Sequence, residues 1–115
     1  MEAGSQMLKG NTPTLVLAVL GEGPSHGYAI VQEITRRGGE ALKMKQATLY
    51  PTLQALERDG LIEGDWVTEN LDRPRRVYQI TEKGREELQN RLRSWKAFAG
   101  AVDRVIAGMA DVEPA

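Results

Sequence analysis

The chain is 115 residues long, with 15 lysines and arginines against 16 aspartates and glutamates and a single histidine. At 41% apolar and 27% charged it has the composition of one globular domain with a modest core, not of a disordered or fibrous segment. The absence of cysteine excludes disulfides, thiolate metal sites and cysteine nucleophiles. The longest apolar run, Leu15 to Leu20, is far short of the ~20 residues that span a bilayer. Residues 1–10 lack the apolar stretch of a secretory leader, so a reducing cytoplasm is the expected location.

Residues 1–11 read as a loose arm, and Thr12-Pro13 as a helix start in which Thr supplies the capping oxygen and Pro the first turn. The segment Leu15 to Leu20 is apolar almost all round, which predicts a buried helix stopped by Gly21 and Gly23. A second helix follows Pro24-Ser25, with Ser25 as its cap, Ala29, Ile30 and Ile34 as its inner face, and Arg36-Arg37-Gly38-Gly39 as its end. A third runs from Gln46 to Asp59, because Leu49, Leu53 and Leu56 recur at helical spacing. Pro51 is tolerated only near a helix start, which leaves Thr48, Tyr50 and Thr52 near an exposed N-terminal end.

Leu61 to Val67 and Arg76 to Ile80 read as paired strands, joined by a polar connection that contains Pro74. Thr81 caps a last helix, with Gly84 where a capping box would place Glu, and the helix is expected to continue to about Ala110. On it Leu88, Leu92, Trp95, Ala99, Val102, Ile106 and Met109 recur in alternating steps of four and three, a heptad seam. Phe98 and Val105 widen that seam. So long a helix needs a partner, most economically the same helix of a second copy. The expected organisation is an arm over residues 1–11, a body over 12–80 and a dimerisation helix over 81–112. The fold class is α+β, mostly α, in the element order of a winged helix-turn-helix.

Net charge is −1, which does not announce a polyanion partner, but the cations are clustered. Arg36, Arg37, Lys43 and Lys45 surround the approach to the third helix against Glu40 alone. Arg73, Arg75, Arg76, Lys83 and Arg85 follow the strand connection against Glu82 alone. In a winged helix one helix enters the DNA major groove while the hairpin reaches the flanking backbone, so both islands fall where double-stranded DNA would lie. Tyr50, Thr48 and Thr52 are candidates for phosphate or thymine-methyl contact, the alternative being that Tyr50 packs on the second helix. Gln46 is a candidate for adenine or plain surface, and Lys45 and Arg73 for phosphate attraction.

Arg75 and Arg76, as strand neighbours, point to opposite faces, so one is expected to meet phosphate and the other an acid. Arg36-Arg37 reads as a charge pair complementing a helix C-terminus. His26 has neither the companions of a metal site nor those of a hydrolase, so with Tyr28 it is expected to fix the second helix or to touch phosphate. No enzyme, cofactor or metal is expected. The rival reading is a winged-helix protein-interaction module without specific DNA binding.

The runs His26-Gly27-Tyr28, Thr48-Leu49-Tyr50-Pro51-Thr52-Leu53, Leu56-Glu57-Arg58-Asp59-Gly60-Leu61-Ile62, Arg75-Arg76-Val77-Tyr78 and Ile80-Thr81-Glu82-Lys83-Gly84 resemble those of PadR-type transcriptional regulators. The resemblance extends from Leu8 to Met109, and the single trailing helix is similar to that of the family's small subfamily. It implies a homodimeric repressor on a pseudo-palindromic operator. Trp66 and Trp95 further resemble the tryptophans of a lactococcal multidrug-binding member, in which they line a flat pore between protomers. That implies a planar hydrophobic effector site on Trp66 and Trp95, with Leu92 and Ala99 beside them. Trp95 reads equally as a bulky residue of the dimer seam, and Phe98 and Met109 as packing. The hairpin tip departs from the family in having Asn70-Leu71-Asp72-Arg73-Pro74 instead of a glycine-rich turn.

Overall fold

A computed structural model of the chain describes residues 2–68 and 73–108. Asn70, Leu71 and Asp72 of the hairpin tip, Met109 of the seam and residues 109–112 of the expected last helix lie outside the described residues.

The first helix, α1, spans Glu2–Leu20 and has Pro13 in its interior, so most of the expected arm is helical and Thr12-Pro13 is not its start. The reason is local. Thr12 is buried, and its hydroxyl donates to the Leu8 carbonyl 2.7 Å away, a back-bond inside a continuing helix instead of a cap. Val16, Leu17 and Leu20 on its second half are fully buried.

The chain turns at Gly21–Gly23 and enters β1, Ser25–His26, a two-residue strand absent from the sequence expectation. Helix α2, Gly27–Gly38, is capped by His26 and not by Ser25: the imidazole Nδ1 accepts from the Ala29 N–H at 3.4 Å. A short 3-10 turn, Gly39–Leu42, leads to α3, Gln46–Arg58, whose Leu49, Leu53 and Leu56 are buried as their spacing requires. Pro51 lies within α3 on an exposed position.

Strands β2, Ile62–Val67, and β3, Arg75–Ile80, form the wing. The sheet has three strands in the order β1-β3-β2, all antiparallel. Ile62 faces Ile80, Gly64 faces Tyr78 and Trp66 faces Arg76, so these six side-chain positions share one face of the sheet. Ile62, Tyr78 and Ile80 close the core from below, with Leu17, Leu20, Ile30, Leu49 and Leu53 above them. Each such fully buried side chain contributes about 1.5–3 kcal/mol.

Helix α4, Glu82–Ala107, begins as expected at Thr81, whose hydroxyl accepts from the Gly84 N–H at 3.0 Å. The same hydroxyl donates to the Gly60 carbonyl at 2.7 Å. A Cβ at position 84 would stand 2.0 Å from the Leu61 carbonyl oxygen, which explains why a glycine takes the place of a capping-box glutamate. The first turns of α4 pack on α1 and bury Leu88 in the chain's own core. Leu88, expected in the seam, is thus taken up by the core of its own chain, and Leu92 is half-buried against the same core. Beyond it the helix leaves the body: Phe98 is 62% exposed, Val105 70% and Ile106 56%.

Candidate nucleic-acid interface

One face of α3 and one face of the wing enclose an open cleft of about 1160 Å³. From α3 come Gln46, Tyr50, Gln54 and Glu57, in steps of four, four and three that keep them in one row. His26, Gly27 and Tyr28 enter from the start of α2, and Trp66, Arg73, Pro74, Arg75, Arg76 and Tyr78 from the wing. Of the residues singled out in the sequence, His26, Tyr28, Gln46, Tyr50, Arg73, Arg75 and Arg76 are thus brought together. Lys45 and Thr48 lie at the exposed beginning of α3 and Thr52 is half-buried on it, all three outside the cleft lining.

Tyr50 does not pack away: it is 47% exposed, and its hydroxyl accepts from the Gln46 side-chain amide at 3.2 Å. That contact orients both groups outward at the end of a helix whose first N–H groups already favour anions.

His26 and Arg75 form the second feature. The imidazole Nε2 lies 3.2 Å from an Arg75 guanidinium nitrogen, while Nδ1 faces the Ala29 N–H. A neutral imidazole has one acceptor nitrogen, so only one of these contacts is a hydrogen bond at a time. Protonation would remove that acceptor. Burial first, and the Arg75 charge second, hold the His26 pKa below its ordinary value of 6.5.

The two wing arginines have different surroundings. Arg76 donates to the Glu57 carboxylate at 2.5 Å, with its guanidinium 5.6 Å from the Trp66 ring centre and 5.9 Å from that of Tyr78. Arg76 is therefore the neighbour that meets the acid. Arg75, Arg73 and Lys45 have no carboxylate partner among the described residues. Arg36 and Arg37, by contrast, are held by Glu33, and Arg37 also by Glu22. Their hydrogen bonds lower the Glu33 pKa to about 2, so these cations complement neighbouring acids.

Gln54, Glu57, Gly64 and Tyr78 were given no site role in the sequence, although Glu57 and Tyr78 stand in the runs quoted there. The four-four-three row from Gln46 to Glu57 carries the signal for the first two, because a polar face on a helix is as periodic as its apolar one. Trp66 is 63% exposed and belongs to this cleft. Trp95 is 49% exposed on α4, with its ring centre 6.3 Å from that of Phe98, and makes no ring contact with Trp66 in the chain. Leu92 and Ala99 flank it half-buried, as is Val102. No cluster of potential metal ligands occurs among the described residues, and none of their helices is long and apolar enough to cross a membrane.

A model of the transcriptional regulator PadR-like family matches residues 16–90. A transcriptional regulator of Mycobacterium tuberculosis is 38% identical over 77 residues, covering 67% of this chain and 68% of that protein. Among solved structures, a transcriptional regulator from Clostridium thermocellum superposes with a TM-score of 0.78 at 28% identity, covering 87% of this chain and 94% of the other. A PadR-like transcriptional regulator from Bacillus cereus does so with a TM-score of 0.77 at 28% identity, covering 88% and 96%. These relatives are regulators of transcription, not enzymes. The family match runs from the buried half of α1 through the wing to the root of α4, and the chain belongs to the PadR-like family of transcriptional regulators.

Proposed function

We propose that the protein is a homodimeric, sequence-specific DNA-binding repressor of the family's small subfamily, acting in the cytoplasm at the nucleoid. The observation that carries this reading is the cleft in which the polar row of α3 faces the wing, where Arg73 and Arg75 have no acidic partner among the described residues. The start of α3 enters the major groove, where Gln46 and Thr48 meet base edges and Tyr50 and Thr52 meet phosphate or a thymine methyl. Lys45, Arg73 and Arg75 neutralise phosphates, and His26 and Tyr28 abut the backbone at the start of α2.

A second copy covers the apolar stripe of α4 through Trp95, Ala99, Val102 and Ile106, continuing towards Met109. Two α3 helices then lie about one helical turn of DNA apart on a pseudo-palindromic operator. A planar hydrophobic effector beside Trp95, Leu92 and Ala99 releases the repressor by favouring a different angle between protomers. Such release requires differential affinity for the two arrangements. Trp66, which the resemblance pairs with Trp95 between protomers, is 63% exposed in the wing cleft beside Arg76 and is the second ring of this effector site.

Titration of operator fragments across salt concentrations tests the reading. Saturable binding is expected, with log Kobs falling against log salt at a slope near −0.9 per phosphate neutralised. An interaction module gives no saturable duplex binding, and that result overturns the proposal.

A further inference from the structure

We infer that Arg76 is a positioning residue that fixes the wing against α3 through Glu57, and that phosphate contact by the wing falls to Arg73 and Arg75. The inference rests on the DNA-binding reading above. Four features build the arrangement. Trp66 and Tyr78 flank the guanidinium at 5.6 Å and 5.9 Å, on the face of the sheet that carries Arg76 itself. Glu57, in the last turns of α3, receives its Nη2 at 2.5 Å.

Gly64 leaves the space in which the side chain lies: a Cβ there would stand 2.7 Å from the Arg76 Nε and 3.0 Å from Nη2. Arg76 and Glu57 are each only about a third exposed, in contrast to the open placement of Arg75. A fork-shaped cation held between two rings and a carboxylate is a geometric tie between two elements. Its charge is already answered by Glu57, so it adds little to the field that a phosphate meets.

The test uses the full chain and its operator, with the Arg76→Gln, Glu57→Gln, Gly64→Ala and Arg75→Gln variants titrated over a range of salt. Arg76→Gln is expected to weaken binding about five- to tenfold at every salt concentration, the size of a partly buried ion pair with a ring contact. Its salt slope stays that of the unaltered chain, whereas Arg75→Gln makes the slope shallower by about 0.9. Glu57→Gln should reproduce the Arg76→Gln loss, and the double variant should be no worse than either, as for one shared interaction. Gly64→Ala should do the same without removing any charge.

A slope shallower by about 0.9 in Arg76→Gln, or tighter binding by Glu57→Gln, would mean that Arg76 serves phosphate and would overturn the inference. A readout without DNA separates this from the function itself. In a Trp95→Phe background the remaining Trp66 emission should shift when Arg76 is replaced, and an unchanged spectrum overturns the tie. Failure of the unaltered chain to bind any duplex would instead defeat the DNA-binding reading.

Discussion

Tyr50 and Trp95 are almost equally exposed, at 47% and 49%, yet their surroundings ask for different partners. Around Tyr50 stand an amide, an imidazole and wing guanidiniums, with the tyrosine hydroxyl already oriented by Gln46. Around Trp95 stand Phe98 and, further along α4, the exposed Val105 and Ile106. The first surface suits a hydrated polyanion, because its cations lose little by meeting phosphate. The second loses free energy in water at about 25 cal/mol per Å² left uncovered, and suits another apolar face. Exposure by itself tells neither story; the chemistry beside the exposed ring does.

Three measurements would break or sharpen this contrast. The largest effect belongs to the core that neither surface shares. Leu53→Ala, at a side chain 1% exposed, is expected to lower unfolding stability by about 2–5 kcal/mol in urea titration. Trp95→Ala, measured where the chain is monomeric, should cost far less; an equal loss would show that α4 is completed within one copy. Next in size, Trp95→Ala with Ile106→Asn should move the sedimenting species from dimer to monomer while leaving the far-ultraviolet circular dichroism unchanged. A species that stays dimeric would place the seam elsewhere.

The smallest effect is at His26. Its ring proton should titrate with a midpoint below 6.5, and Arg75→Gln should raise that midpoint only part of the way, because burial is the larger cause. The sign follows from linkage. Below 6.5 the unfolded chain takes up the proton before the folded one, so this group's contribution to stability is complete above 6.5 and is lost as the pH falls through the folded value. A midpoint above 6.5 in the free protein would contradict the packing at the start of α2.

The inner faces of α2 and α3 were legible because Ile30, Ile34, Leu49, Leu53 and Leu56 repeat with the period of the structure they form. The wing was legible from its β-favouring residues and the polar connection between them. Two-residue β1 has no period to read; Ser25 and His26 become a strand only because β3 offers them an edge. Thr12-Pro13 is ambiguous in principle, since a threonine can cap a new helix or back-bond within one that is already running. The heptad steps of α4 show that an apolar face exists, but not whose core it enters, so Leu88 reads like Trp95 until α1 is seen against it. The pairing of Arg76 with Glu57 joins residues 19 positions apart across two elements, and strand alternation alone says only that one of two arginines should find an acid.

The root of α4 has a mechanical consequence. Thr81 and Lys83 grip the carbonyls of Gly60 and Asp59, and Gly84 lies against that of Leu61. Leu88 and Leu92 extend that grip onto α1, so of the 26-residue helix it is residues 93–107, about 22 Å, that stand clear of the body as a stiff lever. A swing of about 5° at its root displaces the far end by about 2 Å, more than half of one base-pair step. In the proposed dimer, a small molecule wedged between two such levers has only to pry them by a few degrees to throw the reading heads out of phase with the duplex.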